Sequence, residues 1–356
     1  MTVVSQDDVT GESWEHVTLG QRVLFGTGRA AAHVAAEVDR LGARRVLVVG
    51  AAFPEVTAGL DVVARVADVR QHVPVADAER ARAMAAESRA DLLVSVGGGS
   101  TTGLAKAVAL TTGVPVVAVP TTFAGSEATN VWGLTEASRK TTGADDRVLP
   151  VTVVYDAALT LSLPTELAIA SGCNALAHCV DSMWAPRTDP IDQALAAEGI
   201  RALSGGLRLV RADPGGLEGR ERTLYGAYLA AVAFSSAGSG LHHKICHVLG
   251  GAYGLPHAAT HTAVLPYVLA FNAPAAPEAA RRITAALGGD LFSLYDELGA
   301  AHSLRDTGLA RESLAEAARL VLPAVPPSNP RPAGESDLLT LLTAAWNGDR
   351  PEWSLA

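Results

Sequence analysis

An asparagine and several histidines recur in this chain at spacings that place side chains on one helix face. Asn174 and His178 are four residues apart, and so are His243 and His247. If both stretches are helical, each pair shares a face. A further imidazole, His257, follows a Gly-Gly turn. Imidazoles that converge on one pocket can hold a divalent ion or transfer protons near neutral pH.

Asn174 favours the second of these chemistries. An aspartate there would complete a site of one carboxylate and three histidines for a divalent ion, whereas an amide carries no charge and is a weak ligand for zinc or ferrous iron. We therefore expect the pocket without the metal. His243 is the first candidate for proton donor, and the other imidazoles are its neighbours: His178, His247 and His257. Their clustering would let only one or two be protonated together.

Cationic side chains near these residues would suit an anionic substrate. Lys244 follows His243, and Arg139 and Lys140 lie in a stretch rich in Thr and Gly that we expect to be a loop. A guanidinium group can bind a carboxylate at two points. For Arg139 and Lys140, solvated surface charge is an equally good interpretation. We expect Asn174 to contact substrate as well.

A glycine-rich segment has the layout of a phosphate-binding loop. Gly97, Gly98, Gly99 and Ser100 follow an apolar run at 92–96 and precede a helical pattern. The backbone N–H groups of such a turn and the positive end of the following helix would face a pyrophosphate. A glycine triplet alone is more often a simple turn. The preceding strand and the following helix favour the nucleotide site.

The choice between NAD and NADP is normally made at the end of the second strand, where an acid binds the ribose hydroxyls and repels a 2′-phosphate. In this chain the strand runs into Val49-Gly50-Ala51-Ala52-Phe53, which contains no acid. We therefore expect both NADH and NADPH to be used.

The elements that position these residues change character halfway along the chain. Apolar runs at 46–49, 92–96 and 114–119 alternate with helical patterns at 28–42, 76–89 and 102–112, which predicts a doubly wound, Rossmann-like parallel sheet. After about residue 160 the pattern is helical. The helices are expected at 164–184, 190–212, 216–249, 258–271, 276–298, 311–321 and 336–347. These patterns predict an α/β NAD(P)-binding domain at 1–158 and an all-helical catalytic domain at 159–356.

Composition narrows the class of protein. The chain has 356 residues, of which 49% are hydrophobic, enough for two cores. Its formal charge of −9 argues against a nucleic-acid or anionic-membrane surface. The three cysteines, Cys173, Cys179 and Cys246, fit reduced thiols better than a disulfide framework. No apolar run approaches the roughly 18 residues of a membrane span, so we expect a cytoplasmic protein.

The motifs together resemble the iron-containing (group III) alcohol dehydrogenase superfamily and, within it, the maleylacetate reductase branch. The resemblance runs through Phe25–Gly28, Gly97–Lys106, Pro120–Glu127, Arg139–Gly143, Ser171–His178, His242–Gly251, Leu255–His261 and Asn329–Pro332. The superfamily aspartate of the glycine loop is Gly103 here, as in the maleylacetate reductase form. Pro326-Pro327-Ser328 departs from the aromatic residues that are more usual near that point.

The resemblance implies a dehydroquinate synthase-like fold, a homodimer, and NAD(P)H-dependent reduction of maleylacetate to 3-oxoadipate in the degradation of aromatic compounds. It assigns the cofactor diphosphate to Gly97–Ser100. It also implies that Thr121, Thr122 and Phe123 line the nicotinamide and ribose, although a pair of N-capping threonines is an alternative. The small anionic substrate would be an unsaturated oxo-dicarboxylate, reduced at its carbon–carbon double bond.

Two other interpretations stay open. One is a metal-dependent alcohol or polyol dehydrogenase that uses His178, His243 and His257 with Asn174 as a neutral ligand. The other is a lyase similar to dehydroquinate synthase that uses NAD transiently on a phosphorylated substrate. The lyase would need several cations in the helical half, where Lys244 is the only lysine between 160 and 300.

Overall fold

A parallel sheet forms the centre of the N-terminal half. The computed structural model describes residues 14–136, 139–300 and 303–351. The strands within these residues are β1 (Arg22–Phe25), β2 (Val46–Val49), β3 (Val62–Val66), β4 (Leu92–Gly97), β5 (Val116–Pro120), β6 (Val131–Glu136), β7 (Arg139–Ala144) and β8 (Thr152–Tyr155). Six of them pair in the order β1-β8-β5-β4-β2-β3, all in parallel.

Three helices cover both faces of this sheet: α1 (Ala30–Leu41), α2 (Val75–Glu87) and α3 (Gly99–Thr112). Successive residues of β2 enter opposite cores. Val46 and Val48 pack with α1, while Leu47 and Val49 pack with α2 and α3. Burial on both faces explains why these strands are continuous apolar runs. The predicted doubly wound sheet and its three helices are confirmed, and β5 begins just after Pro115.

Arg139 and Lys140 lie in a strand, so their expected placement in a loop was wrong. β6 and β7 form an antiparallel hairpin in which Glu136 pairs with Arg139. β-Branched residues such as Thr141 and Thr142 favour this extended pairing over a loop. The side chains of Arg139 and Lys140 lie outside the described part of the structure.

The C-terminal half is helical, as expected, and its described residues contain no strand after β8. Its helices are α4 (Thr165–Ser182), α5 (Pro190–Ala212), α6 (Leu217–Ala237), α7 (Leu241–Tyr253), α8 (His257–Asn272), α9 (Pro277–Leu287), α10 (Leu291–Leu298), α11 (Leu314–Val321) and α12 (Glu335–Asn347). Helix α4 contacts α5, α6, α7 and α8, and therefore lies at the centre of the half that carries the histidines. Among the described residues, no helix is long and apolar enough to cross a membrane.

Two predicted helices are each broken in two. The segment 216–249 is interrupted at Gly238, whose φ of +82° is a left-handed conformation that ends α6. The segment 276–298 is interrupted at Gly288, with φ of +71°. Both breaks carry sequence signals that the predicted helices passed over, Gly238-Ser239-Gly240 and Gly288-Gly289-Asp290. The first break matters most, because it creates the N-terminus of α7 beside the histidines.

A buried ammonium group fixes the chain that follows β5. Lys106, on α3, donates from Nζ to the carbonyl oxygens of Ser126 at 2.5 Å, Thr129 at 2.7 Å and Val131 at 2.9 Å. Burial lowers the pKa of Lys106 to about 7, and the nearby Glu127 carboxyl opposes that shift. Lys106 therefore supports the loop rather than the substrate.

All three cysteines are buried and free. Burial raises the pKa of the Cys173 thiol to about 12, and it also raises the pKa of the Cys179 and Cys246 thiols. A thiol with a raised pKa is a poor nucleophile at neutral pH. The expected reduced, structural cysteines are confirmed.

Candidate active site

Helices α4, α7 and α8 bring the predicted imidazoles into one cluster. The His243 ring centroid lies 5.1 Å from that of His178 and 6.0 Å from that of His247. His257 joins the cluster through His261, which lies one helical turn after it. The His261 ring centroid is 4.3 Å from that of His257 and 4.8 Å from that of His243. All four imidazoles singled out from the sequence thus lie in one contiguous group.

His243 is oriented by an aspartate that sequence reasoning missed. Its Nδ1 lies 2.7 Å from Oδ2 of Asp181, and both side chains are almost completely buried. Asp181 also accepts the backbone N–H of Gly240 at 2.8 Å, at the start of α7. With Nδ1–H donated to Asp181, the Nε2 atom of His243 is the one that can exchange a proton with substrate. This atom is buried and has no hydrogen-bond partner in the described residues.

Burial sets the protonation of this pair. It lowers the pKa of His243 well below its usual value, and the nearby His247, His257 and Lys244 lower it further. Burial also raises the pKa of the Asp181 carboxyl, against the effects of His242 and of the backbone N–H groups at the start of α7. The charged forms of both groups are thus costly unless they are paired with each other. The pair is suited to holding one proton and passing it to an oxygen or carbon of a bound substrate.

A second imidazole pair lies beside the first and was also missed. Nε2 of His242 is 3.0 Å from Nδ1 of His261, and the Cys246 sulfur is 3.8 Å from the same His242 nitrogen. The hydrogen bond fixes the orientation of His261 and leaves its Nε2 buried without a partner in the described residues. The four-residue spacing of His257 and His261 was the available signal.

Several buried polar atoms of the cluster lack partners in the described part of the chain. They are Oδ1 of Asn174, Nδ1 of His178, Nε2 of His243 and Nε2 of His261. Buried polar atoms normally form hydrogen bonds, so an unpaired group of them indicates where a ligand binds. The imidazole N–H groups and the Lys244 ammonium suit the oxygens of an anionic substrate, whereas the Asn174 oxygen can only accept a hydrogen bond.

Three of the remaining predicted residues, His247, His257 and Lys244, lie at the more exposed edge of the imidazole cluster. In the described part of the chain, the packing of the elements does not bring the hairpin of Arg139 and Lys140 to it. His247 and His257 are exposed and Lys244 is half-buried. The Lys244 ammonium is near enough to lower the pKa of His243. It is therefore placed to meet a substrate carboxylate. The hairpin that carries Arg139 and Lys140 packs through β6 against α2 and α3 of the sheet half.

The donor set does not fit the divalent ion that the family name implies. Asn174 supplies an amide, and no acidic ligand replaces it because Asp181 is paired with His243. Among the described residues, His178, His243 and His257 do not bring one nitrogen each within 4.8 Å of one another. His242, Cys246 and His261 do, but two of their donor atoms already pair at 3.0 Å. An ion here would have few free donors and no carboxylate to offset its charge.

Restoring the acid tests this conclusion. We expect Asn174→Asp to raise affinity for zinc about tenfold or more, because a carboxylate supplies the negative charge that the imidazole cluster lacks as a metal site. Titration calorimetry should show the gain, and Asn174→Ala should not. If Asn174→Asp binds zinc no better than the unaltered chain, the missing carboxylate is not what weakens metal binding at this cluster.

The glycine loop lies at the carboxyl ends of β4 and β5. Gly97 ends β4 beside Pro120 of β5, Gly98 precedes α3, and Gly99 and Ser100 begin that helix. No side chain caps the start of α3, so its first N–H groups are free to face a phosphate. A Cβ atom on Gly97 would lie 2.4 Å from Oγ1 of Thr101, which explains the requirement for glycine.

The segment Thr121–Phe123, which the resemblance assigns to the nicotinamide and ribose, contacts both the glycine loop and helix α4. Thr121 and Thr122 are half-buried, and Thr122 lies against Gly98, where a Cβ atom would meet its Cγ2 at 3.0 Å. The Phe123 side chain is fully buried in the helical core, and its backbone N–H donates to Oγ of Ser171 at 3.2 Å. Phe123 can therefore reach a cofactor only through its backbone. Ser171 lies one turn before Asn174 on α4.

Arginine, rather than an acid, lies beside the end of β2. Arg65, on β3, donates to the carbonyl oxygen of Gly50 at 3.2 Å and to Oγ1 of Thr57 at 3.0 Å. In dinucleotide folds this position faces the adenosine ribose, where a cation accommodates a 2′-phosphate.

Comparisons with known proteins were consistent across sequence and structure. The family model described as iron-containing alcohol dehydrogenase matches residues 20–157, and the model of the C-terminal part of the Fe-containing alcohol dehydrogenase family matches 168–346. The maleylacetate reductase of Sphingobium indicum is 46% identical over 94% of this chain and 97% of its own length.

Solved structures agree with this similarity. An iron-containing alcohol dehydrogenase from Corynebacterium glutamicum is 54% identical, with a TM-score of 0.93 over 96% of this chain and 99% of its own. A maleylacetate reductase from Agrobacterium tumefaciens is 38% identical, with a TM-score of 0.91 over 96% of this chain and 100% of its own.

Proposed function

This chain belongs to the iron-containing alcohol dehydrogenase family, and we propose that it is an NAD(P)H-dependent reductase of maleylacetate or a closely similar unsaturated oxo-dicarboxylate. The observation that carries the proposal is that the same site combines a neutral Asn174 with a buried, hydrogen-bonded Asp181–His243 pair. The pocket thus has a proton-transfer group in place of an acidic metal ligand. The similarity to maleylacetate reductases over most of the chain supports the choice of substrate.

In the proposed reaction the bound nicotinamide supplies a hydride. One carbon of the substrate double bond receives it, the other receives a proton, and the product is 3-oxoadipate. His243 holds the proton at Nε2 while Asp181 stabilises the protonated ring. Asn174 and His178 lie where a ketone or carboxylate oxygen can bind, and Lys244 offers its charge at the more exposed edge of the cluster. The burial of Asn174 and His243 strengthens such interactions, because charges and dipoles act more strongly away from water.

Substrate specificity provides the direct test. NADH oxidation should be fast with maleylacetate and slow with a panel of aldehydes, ketones and polyols, and EDTA should leave the rate unchanged. Loss of activity in EDTA with recovery on adding iron or zinc would instead select the metal-dependent dehydrogenase. Catalytic turnover of a phosphorylated substrate without net NADH oxidation would select the lyase.

Cofactor use gives a second prediction. Because β2 ends without an acid and Arg65 lies beside it, we expect NADH and NADPH to be used with kcat/KM values that differ by less than about a thousandfold, or roughly 4 kcal/mol. Arg65→Ala should raise KM for NADPH about tenfold and leave KM for NADH nearly unchanged. Parallel kinetics with both cofactors would measure this. Equal changes for the two would remove Arg65 from the ribose site.

The domain boundary at 158/159, the cytoplasmic location and the homodimer stay predictions of the sequence and the resemblance. Gel filtration with light scattering would measure the assembly directly.

A further inference from the structure

A second cluster of titratable side chains lies where the N-terminal segment meets the start of α5. Nδ1 of His16 is 2.7 Å from Oδ2 of Asp189 and 3.7 Å from Oδ1 of Asp192. Side-chain exposure is 9% for His16, 1% for Asp189 and 0% for Asp192. None of these residues belongs to the imidazole pocket.

The two aspartates differ in how they are satisfied. Oδ1 of Asp189 caps α5 by accepting the backbone N–H groups of Ile191 at 2.7 Å and Asp192 at 2.9 Å, and its other oxygen faces His16. Neither carboxylate oxygen of Asp192 accepts a well-aligned hydrogen bond from the described residues, although the Ser236 hydroxyl and the His16 ring lie near enough to lower its pKa. Burial and the Asp189 carboxylate raise the pKa of Asp192 to about 6. Burying a carboxylate without a hydrogen bond costs free energy, so a further ligand would stabilise it.

We propose that His16, Asp189 and Asp192 form a binding site for a divalent transition-metal cation such as zinc. One donor atom from each residue lies within 4.8 Å of the other two. Bonds of about 2.0–2.2 Å to a shared ion would put these atoms roughly 3–3.6 Å apart. The distances of 2.7 Å and 3.7 Å from His16 to the two carboxylates lie just either side of that range. One nitrogen and two carboxylate oxygens are suitable zinc donors.

The charge of the cluster is compatible with a bound divalent cation. With His16 protonated and both aspartates ionised, the buried cluster keeps one uncompensated negative charge. A divalent cation bound to neutral His16 brings the formal charge of the cluster to zero and gives the Asp192 carboxylate a bonded partner. Helix α5 also contributes its positive end, but that partial charge does not form a bond to the Asp192 oxygens.

The surroundings leave room for further ligands. His16 and Asp189 border a cavity of about 800 Å³ between the described N-terminal residues from Trp14 onward and helices α5 and α6, and Asp192 lies buried behind them. Its wall includes Trp14, Arg187 and Tyr228. Oγ of Ser236 lies 3.4 Å from Nδ1 of His16. Water from the cavity can complete the coordination, and the ion would tie the N-terminal segment to α5.

The test uses the full chain, stripped of metal and then titrated with zinc chloride. We expect one ion per chain by elemental analysis after gel filtration, and a rise in Tm on zinc addition. His16→Gln and Asp192→Asn should each weaken zinc binding at least tenfold and abolish the rise in Tm. Glu15→Gln, at the same cavity wall, is the matched control and should bind zinc like the unaltered chain.

Metal-free stability separates the proposal from an ordinary ion pair. Asp192→Asn removes a buried charge without changing shape, so its metal-free Tm should equal or exceed that of the metal-free parent. A lower metal-free Tm of Asp192→Asn together with unchanged zinc binding would contradict the proposed site. So would zinc binding that is lost in His257→Asn but kept in Asp192→Asn, because the ion would then lie in the imidazole pocket. The reduction of maleylacetate is measured separately, in EDTA. A failure of the proposed function can therefore be told apart from a failure of the proposed zinc site.

Discussion

Replacing His243 with alanine should lower kcat about a hundredfold or more, with little change in NADH affinity. Its Nε2 is the buried, unpaired atom of a ring whose other nitrogen is held by Asp181. Removing a general acid typically costs 10²–10⁴-fold in rate. The glycine loop that would hold the cofactor belongs to the sheet half and is left intact. Steady-state kinetics with maleylacetate, with NADH affinity followed by fluorescence, would measure both quantities.

Two controls sharpen this measurement. His33→Ala changes an imidazole on α1 and should leave kcat close to that of the parent. His243→Gln keeps a polar side chain but cannot be protonated near neutral pH, so it should be about as slow as His243→Ala. An unaltered kcat in His243→Ala would move the proton donor elsewhere, with His261 the next candidate because its Nε2 is also buried and unpaired.

Asp181→Asn is expected to lower kcat about a hundredfold without contacting the substrate. The substitution keeps an oxygen for the N–H groups at the start of α7 but removes the negative charge that stabilises protonated His243. An amide can also present N–H to Nδ1 and reverse the tautomer, so that Nε2 carries the hydrogen permanently. KM should change much less than kcat, because Asp181 positions the ring rather than binding substrate.

The pH profile distinguishes this role from a merely structural one. Activity that needs protonated His243 falls as pH rises through the pKa of that ring. Loss of the Asp181 charge lowers this pKa further, so the descending limb of the kcat profile should move to lower pH in Asp181→Asn. Asp181→Glu, which keeps the charge, should retain the position of the limb. A lower kcat with an unshifted profile would mean that Asp181 only supports the fold.

Periodicity predicted the sheet half well because its central strands are buried on both faces. The length of the apolar runs Val46–Val49 and Leu92–Val96 and the helical patterns that flank them indicate buried strands. The edge strands Arg22–Phe25 and Val62–Val66 and the hairpin after β5 were missed, since partly exposed strands alternate weakly over so few residues. The strand Thr152–Tyr155 was missed although it is buried, because a run of four residues is too short to be assigned by itself. Arg139 was wrongly predicted to lie in a loop, because polar β-branched neighbours are compatible with a loop as well as with a strand.

The candidate site was predicted in its ligand-like members and missed in its supporting ones. Spacing of four residues identifies Asn174 with His178, and His243 with His247, before any fold is known. Asp181 forms its key contact across 62 residues of sequence, and His242 meets His261 across 19. Such partners become visible only when α4, α7 and α8 pack. Phe123 was predicted to line the cofactor, and its ring lies in the helical core, so that role would fall to its backbone.

The interruption between α6 and α7 has a practical consequence for engineering. A methyl group at Gly240 would sit 2.5 Å from Oδ1 of Asp181, and the left-handed backbone of Gly238 resists any side chain. Mutant libraries that diversify only pocket-lining positions would not include these two glycines. We nevertheless expect a single added carbon at either position to lower activity, because it would displace Asp181 or the start of α7. Redesign for new substrates should therefore hold this short connection fixed and vary the rim formed by His247 and His257.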